Sequence, residues 1–468
     1  MKDSLRNRLR EYSAKGRLSF HTPGHKNKSE FLAGIEFPAG DLTELPELDV
    51  LAHAQGILGE AQNWAAQAFG ADQTYFLVNG GTAGNLAMFL AIAAGKPDGG
   101  KIRVERQAHR SVFSGLTLSG LTPQYIMPII HPDFNLPLGT RIEDYWSAPE
   151  SLLAIHVTCP SYYGTAVDQE ALLRQRDHTA PATPVLVDQA HGAHWQGTLF
   201  PPSAVELGAD LVVHSTHKTL GSLTQSALLH CKGMRVSRRA LSQALEMVQS
   251  SSPSYLLMAS LEAAADQRGR TEIWEALQSE VGALVEELKR IYRVLNPEDI
   301  GSYGIEALDW SKIVVNVAPL GVTAETVVDF LRQEYAIEPE LWQESTILFV
   351  LGIGNTPAEV EKLKKALKTA AERRNWRRDQ KAQRKPCGEP LAFELPPLRL
   401  TPRQAWEAPR RPCLLETCRG EIAAETIVVY PPGIPLIVAG EEITEQVLER
   451  LKNSRHETNR KTIEIVGI

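Results

Sequence analysis

Short apolar runs rich in β-branched residues alternate with longer stretches of helical periodicity from about residue 50 to about residue 265. That alternation predicts a mostly parallel sheet covered by helices. The predicted strands are Thr74–Val78, Lys101–Glu105, Leu152–Val157, Pro184–Val187 and Leu211–Val213. In an open α/β sheet, ligands bind outside the carboxyl ends of the strands, so the residues that follow each strand carry the most information. A helical stretch around Thr271–Asn296 leads into a second block. There Ser311–Val317 and Thr346–Leu351 read as strands, and Thr323–Glu334 and Pro357 to about Ala371 as helices, giving a smaller α+β domain. Residues 373–397 mix charges with prolines and mark a linker. The expected division is an N-terminal arm (1–50), a large domain (51–300), a small α+β domain (301–372), the linker, and a C-terminal domain (398–468).

Composition narrows the class. The 468 residues are 43% apolar and 22% charged, as in an ordinary globular protein, and the length suits two or three domains. A formal net charge of −7 argues against a phosphate-backbone binder, which needs a clustered basic face. Five scattered cysteines, Cys159, Cys231, Cys387, Cys413 and Cys418, lack the C-x-x-C spacing of a zinc or redox site and point to a reducing compartment. The amino terminus has no apolar core of a signal peptide, and no run of about 18 apolar residues follows. A cytoplasmic protein with no membrane and no metal partner is therefore expected.

Candidate chemistry gathers at strand ends. The segment Phe76–Asn85 ends a strand in Gly80-Gly81-Thr82 before an apolar helix predicted at Leu86–Ala94. Backbone N–H groups there suit a phosphate, although the same pattern also serves a tight strand-to-helix turn. Pro184–His191 places Asp188 at the end of an apolar strand. Such an aspartate either caps the next helix or holds the pyridine nitrogen of pyridoxal 5'-phosphate (PLP) protonated, so that the ring draws electrons from a substrate Cα. In Asp210–Leu220, Lys218 follows another strand among Ser215, Thr216 and His217. A lysine in that setting is either an ordinary loop residue or a Schiff-base lysine whose pKa is lowered by desolvation. His109, after the strand ending at Glu105, is placed to cap a helix or to stack on the ring face opposite Ala190.

Together with Phe20–Lys26, Asp41–Asp49, Thr158–Gly164, Ser251–Tyr255 and Tyr430–Pro435 followed by Gly440-Glu441, these motifs resemble the Orn/Lys/Arg decarboxylase family over nearly the whole chain. The resemblance implies a PLP-dependent fold of the aspartate aminotransferase type, fold type I. It implies that Lys218 carries the cofactor, Asp188 pairs with the pyridinium, and His109 stacks on the ring. Gly81, Thr82, Ser215 and His217 match phosphate-side positions, Ala190 and His191 line the cofactor, and Ser252 matches a residue that reaches a neighbouring subunit's phosphate. That last match implies a homodimer or higher homo-oligomer with shared active sites. The Pro-Gly-His-Lys motif begins at residue 23, so the wing domain of the long enterobacterial forms, and decamers built through it, are not expected. Asn27-Lys28 and Cys159-Pro160-Ser161 depart from the common pattern near the presumed substrate entrance.

The implied reaction removes the α-carboxylate of lysine, arginine or ornithine as CO2 and returns a proton to Cα from Lys218 or His217. The substrate's distal cation needs an anionic partner, for which Asp41, Glu44, Asp49 and Glu441 are candidates. Lys218 and Asp188 would equally serve an aminotransferase or a side-chain lyase, and a silent regulatory relative is the reading outside enzymology.

Overall fold

The strands Val185–Asp188, Leu211–His214 and Ala227–Cys231 are buried at every position because both faces of their sheet are covered. In the computed structural model, which describes residues 18–20, 49–147, 152–373, 394–429, 434–453 and 460–467, they belong to one seven-stranded sheet. Its order is Gln73–Leu77, Ala227–Cys231, Leu211–His214, Val185–Asp188, Leu152–Thr158, Lys101–Glu105 and Thr122–Ile126. Ala227–Cys231 runs antiparallel to both neighbours, and every other pairing is parallel. Alternate residues serve opposite faces: Val185, Val187 and Val212 join one apolar core, while Leu186, Leu211 and Val213 join the other.

The five expected strands are present with ends shifted by one residue at most, and Thr122–Ile126 and Ala227–Cys231 are additional. The helix expected from Leu86 begins six residues earlier and spans Gly80–Ala93. Its first turn is glycine-rich because it lies against the sheet: a Cβ at Gly84 would sit 2.6 Å from Val213 Cγ2. That close approach brings the next residue, Asn85, over the strand ends.

The small domain holds a four-stranded antiparallel sheet, Arg293–Val294, Lys312–Asn316, Thr346–Val350 and Leu341–Gln343. Its first strand precedes the boundary expected at residue 301. Thr271–Leu288, shorter than the helical stretch read from the sequence, packs on Pro357–Glu372 beside this sheet. A backbone hydrogen bond from Ile353 N to Thr219 O, 2.8 Å, ties the domain to the residue after Lys218.

The C-terminal domain closes a separate core around Cys418, Ile437, Val447 and Ile465. It docks through Glu441, whose oxygens accept from Arg106 Nη1 at 2.6 Å and Nη2 at 2.7 Å. Arg106 Nε also donates to Pro435 O, and its guanidinium lies 4.7 Å from the Tyr125 ring centre. Glu441, expected to face the substrate's cation, is thus a docking residue. It is 1% exposed and is committed to Arg106 and the Val438 N–H.

Removing one member of a buried ion pair strands the other, at a cost of about 3–5 kcal/mol. Glu441→Ala is expected to lower unfolding stability by that order in urea titration. Replacing both Arg106 and Glu441 with apolar residues of similar volume should recover most of it.

Candidate active site

Asp188 ends its strand opposite Thr158 on one neighbour and Val213 on the other. It is 4% exposed and receives Asn85 Nδ2 at 2.8 Å and Ala190 N at 3.1 Å. The other hydrogen of Asn85 Nδ2 reaches Ser111 Oγ at 2.9 Å, and that hydroxyl lies 2.8 Å from His109 Nδ1. His109 caps the helix Arg110–Ser119, its Nδ1 accepting from Ser111 N at 3.3 Å. Because Nδ1 accepts, the neutral ring carries its proton on Nε2. Desolvation lowers the His109 pKa, with Asp188 opposing and Lys218 adding to the shift, so the ring is neutral at physiological pH.

Lys218 lies in the short helix Thr216–Thr219 that follows Leu211–His214. Its Nζ is 2.8 Å from His191 Nε2. Burial, then the charges of Lys218 and Lys312, hold His191 well below its ordinary pKa. Its Nε2 therefore accepts from Lys218, which leaves the proton on Nδ1, a buried atom with no hydrogen-bond partner. Burial pushes Lys218 down to about 8, against the opposing fields of Asp188 and Glu340. Glu340 comes from the small domain and accepts from Tyr162 Oη at 2.5 Å, while the Tyr162 ring meets His191 edge-on at 4.7 Å. His217 donates through Nδ1 to Ser226 O at 2.8 Å. Lys312 Nζ reaches His191 O at 3.3 Å and Asp309 Oδ2 at 3.0 Å in a fully buried pair.

On the phosphate side, Gly81 and Thr82 form the first turn of Gly80–Ala93, whose N-terminal N–H groups and dipole favour an anion. A Cβ at Gly81 would stand 2.7 Å from Ser215 Oγ, so glycine keeps this cradle open. The Ser215 hydroxyl does not cap its own helix, and Thr82 is exposed at the mouth. The glycine cradle, the unpartnered Nδ1 of His191, the carboxylate of Asp188 and the softened amine of Lys218 together fit a phosphorylated pyridine aldehyde.

The remaining sequence candidates divide. Ser252 is exposed on the loop before the helix Tyr255–Gln267. Asp49 turns its carboxylate onto its own loop, accepting from the N–H groups of Val50, Gln55 and Gly56. Asp41 and Glu44, like Asn27-Lys28, lie outside the described residues. Asn85, Ser111, Glu340 and Lys312 were not singled out from the sequence. Only Asn85 leaves a signal there, as the one amide in an otherwise apolar helix.

Comparison with known proteins decides the family. The model for the Orn/Lys/Arg decarboxylase major domain matches residues 4–319, and that for the Orn/Lys/Arg decarboxylase C-terminal domain matches residues 391–461. The chain belongs to the Orn/Lys/Arg decarboxylase family. It is 34% identical over 465 residues to an arginine decarboxylase of Bacillus anthracis, covering 95% of this chain and 92% of that one. The arginine decarboxylase of Bacillus subtilis is also 34% identical, over 94% of this chain and 90% of that one. The solved constitutive lysine decarboxylase of Escherichia coli aligns with a TM-score of 0.73 at 20% identity, covering 99% of this chain and 81% of that one. A NifS-like protein aligns at 0.54 and 15% identity over 70% of this chain and 93% of that one. The family's fold is that of the fold type I PLP enzymes, α/β with a mostly parallel central sheet. No helix among the described residues is long and apolar enough to cross a membrane, and none of them form a metal-binding cluster.

A lysine amine attacks only when deprotonated, so a lowered pKa moves its reactivity to lower pH. Competitive acetylation of the protein without added cofactor, read at Lys218 by peptide mass spectrometry, is expected to rise with a midpoint near pH 8. A midpoint at the ordinary lysine value of 10.5 would contradict the assigned environment.

Proposed function

We propose that this protein is a PLP-dependent decarboxylase that converts arginine to agmatine and CO2. The observation that carries the reading is the meeting of Lys218, Asp188, His191 and His109 beyond the carboxyl ends of three strands of one sheet, beside a glycine-lined helix N-terminus. Arginine is preferred over lysine and ornithine because relatives named arginine decarboxylase share 34% identity over nearly the full length, whereas a lysine decarboxylase of Escherichia coli shares 23%. Glu340 also places a carboxylate in the field of Lys218, beyond the one that pairs with the ring nitrogen, which suits a cationic substrate.

Bound PLP supplies an electron sink for the pair left at Cα when the carboxylate departs as CO2. Asp188, oriented by Asn85 Nδ2 and the Ala190 N–H, would accept from the protonated ring nitrogen. His109, neutral with its proton on Nε2, offers a flat uncharged face to an aromatic ring. Gly81, Thr82 and Ser215 hold the phosphate end through N–H and hydroxyl groups. Lys218 Nζ, steadied by His191 Nε2, moves the proton that Cα receives after CO2 leaves, and its pKa near 8 suits that exchange at neutral pH. His217, turned by its bond to the Ser226 carbonyl, presents Nε2 as a second proton carrier.

The deciding experiment incubates purified protein and PLP separately with L-arginine, L-lysine and L-ornithine, and identifies the products by mass spectrometry. Agmatine with stoichiometric CO2 is expected. Cadaverine or putrescine as the main product would reassign the substrate, and a keto acid would overturn decarboxylation. Lys218→Ala should abolish turnover, and Asp188→Ala should lower kcat roughly 100-fold or more, the scale of a lost preorganised charge.

A further inference from the structure

The side chains on the two sides of the proposed cofactor site belong to one hydrogen-bonded chain. It runs from Asp188 Oδ2 to Asn85 Nδ2 at 2.8 Å, from the same nitrogen to Ser111 Oγ at 2.9 Å, and from that hydroxyl to His109 Nδ1 at 2.8 Å. Its polarity is forced. Asp188 accepts, so Asn85 must present its NH2 group there, and a flipped amide would set its oxygen against a carboxylate. The second amide hydrogen points at Ser111 Oγ, which accepts it and turns its own proton to His109 Nδ1.

Two further observations separate this amide from one that merely fills the core. Asn85 is 2% exposed, and its carbonyl oxygen is buried without a partner, so both of its bonds are made by the nitrogen. A buried amide chosen for packing alone would not leave its oxygen unsatisfied at a cost of about 1–3 kcal/mol. His156, fully buried and within the field of Asp188, also has neither ring nitrogen partnered, and burial lowers it to about 4. The neutral His156 gives Asp188 no charge-assisted donor. Asn85 is therefore the side chain that fixes the rotation of that carboxylate.

We propose that Asn85 and Ser111 are positioning residues that lock Asp188 and His109 in mutual register, so that the carboxylate meets the edge of one ring while the imidazole covers its face. This rests on the reading of the site as a PLP site. Neither residue touches the reacting atoms. Asn85 acts through both partners, and Ser111 acts only through His109.

The test uses the full-length holoprotein and the variants Asn85→Ala, Ser111→Ala, His109→Ala and the double variant Ser111→Ala with His109→Ala. Three quantities are read: the PLP dissociation constant by absorbance titration, the circular dichroism of the bound-cofactor band, and kcat and KM separately. Asn85→Ala is expected to weaken PLP binding roughly tenfold, the worth of one hydrogen bond to a charged group. It should also at least halve the dichroic band and lower kcat while KM stays within about twofold. Ser111→Ala should reduce the dichroic band and kcat, and this effect should vanish in the His109→Ala background. A dichroic band and affinity unchanged in Asn85→Ala, or a Ser111→Ala effect that persists without His109, would overturn the relay. If Asn85→Ala does not fold, the Ser111 and His109 cycle decides alone. Wild-type protein that develops no bound-cofactor band would remove the functional reading and the relay with it. A normal wild-type band with unaltered variants would remove the relay only.

Discussion

Asp188 sets a carboxylate at the end of a buried strand, 4% exposed, and the surrounding structure supplies the donors that such a group needs. A carboxylate taken out of water loses solvation worth many kcal/mol and protonates unless fixed donors replace what was lost. Each oxygen of Asp188 receives one such donor, Asn85 Nδ2 on Oδ2 and the Ala190 N–H on Oδ1. The first exists because glycines let the helix Gly80–Ala93 approach the sheet so closely that residue 85 reaches the strand end. The second comes from the turn that the chain makes on leaving the strand. With lone pairs left on both oxygens, the carboxylate can still accept from a ring nitrogen.

The same low-dielectric setting acts on Lys218. Burial disfavours the ammonium and brings it to about 8, even though Asp188 and Glu340 pull the other way. Adjacent parallel strands bring Asp188 and Lys218 together, since Val213 and Asp188 are register partners and both strands turn off the sheet at the same end. Lys312 and Asp309 add a buried pair from the small domain, which touches the carbonyl of His191 behind the lysine. The large domain supplies the reactive groups, and the small domain sets part of the field in which they work.

Much of this organisation was legible in the sequence where chemistry follows periodicity. Asp188 and Lys218 stand at the ends of apolar runs that read as buried strands, and the resemblance to the family implies the roles proposed for them. Ala227–Cys231 escaped because Ala-Leu-Leu-His-Cys contains no β-branched residue and runs against its neighbours, which no local pattern records. Thr122–Ile126 escaped because it is an edge strand, half exposed and broken by Pro123. The glycine run stands outside the helix predicted from Leu86 because glycine is a poor helix former. Here a tertiary contact with Val213 and Ser215 overrides that propensity. Glu441 misled for a related reason: a motif carboxylate near a proposed substrate looks available until its guanidinium partner, 335 positions earlier in the chain, is known. Residues 85, 109, 111 and 188 have no spacing rule to join them, so their linkage is visible only in three dimensions.

The histidines complete the electrostatic logic. Among the described residues seven, His109, His131, His156, His191, His194, His214 and His230, are shifted downward, each with desolvation as the leading cause. Were they protonated, the interior around the strand ends would hold a concentrated positive charge that repels a basic amino acid and competes with the ring for Asp188. Kept neutral, they contribute shape, hydrogen-bond direction and polarisable surface without charge. His191 can then accept from Lys218, and His109 can present an uncharged face. Beside Lys218 the carboxylates of Asp188 and Glu340 act against Lys312, and Lys312 is itself paired with Asp309. With PLP bound, Asp188 would be matched by the ring nitrogen's proton, which would leave Glu340 as the carboxylate beside Lys218 that favours a cationic substrate.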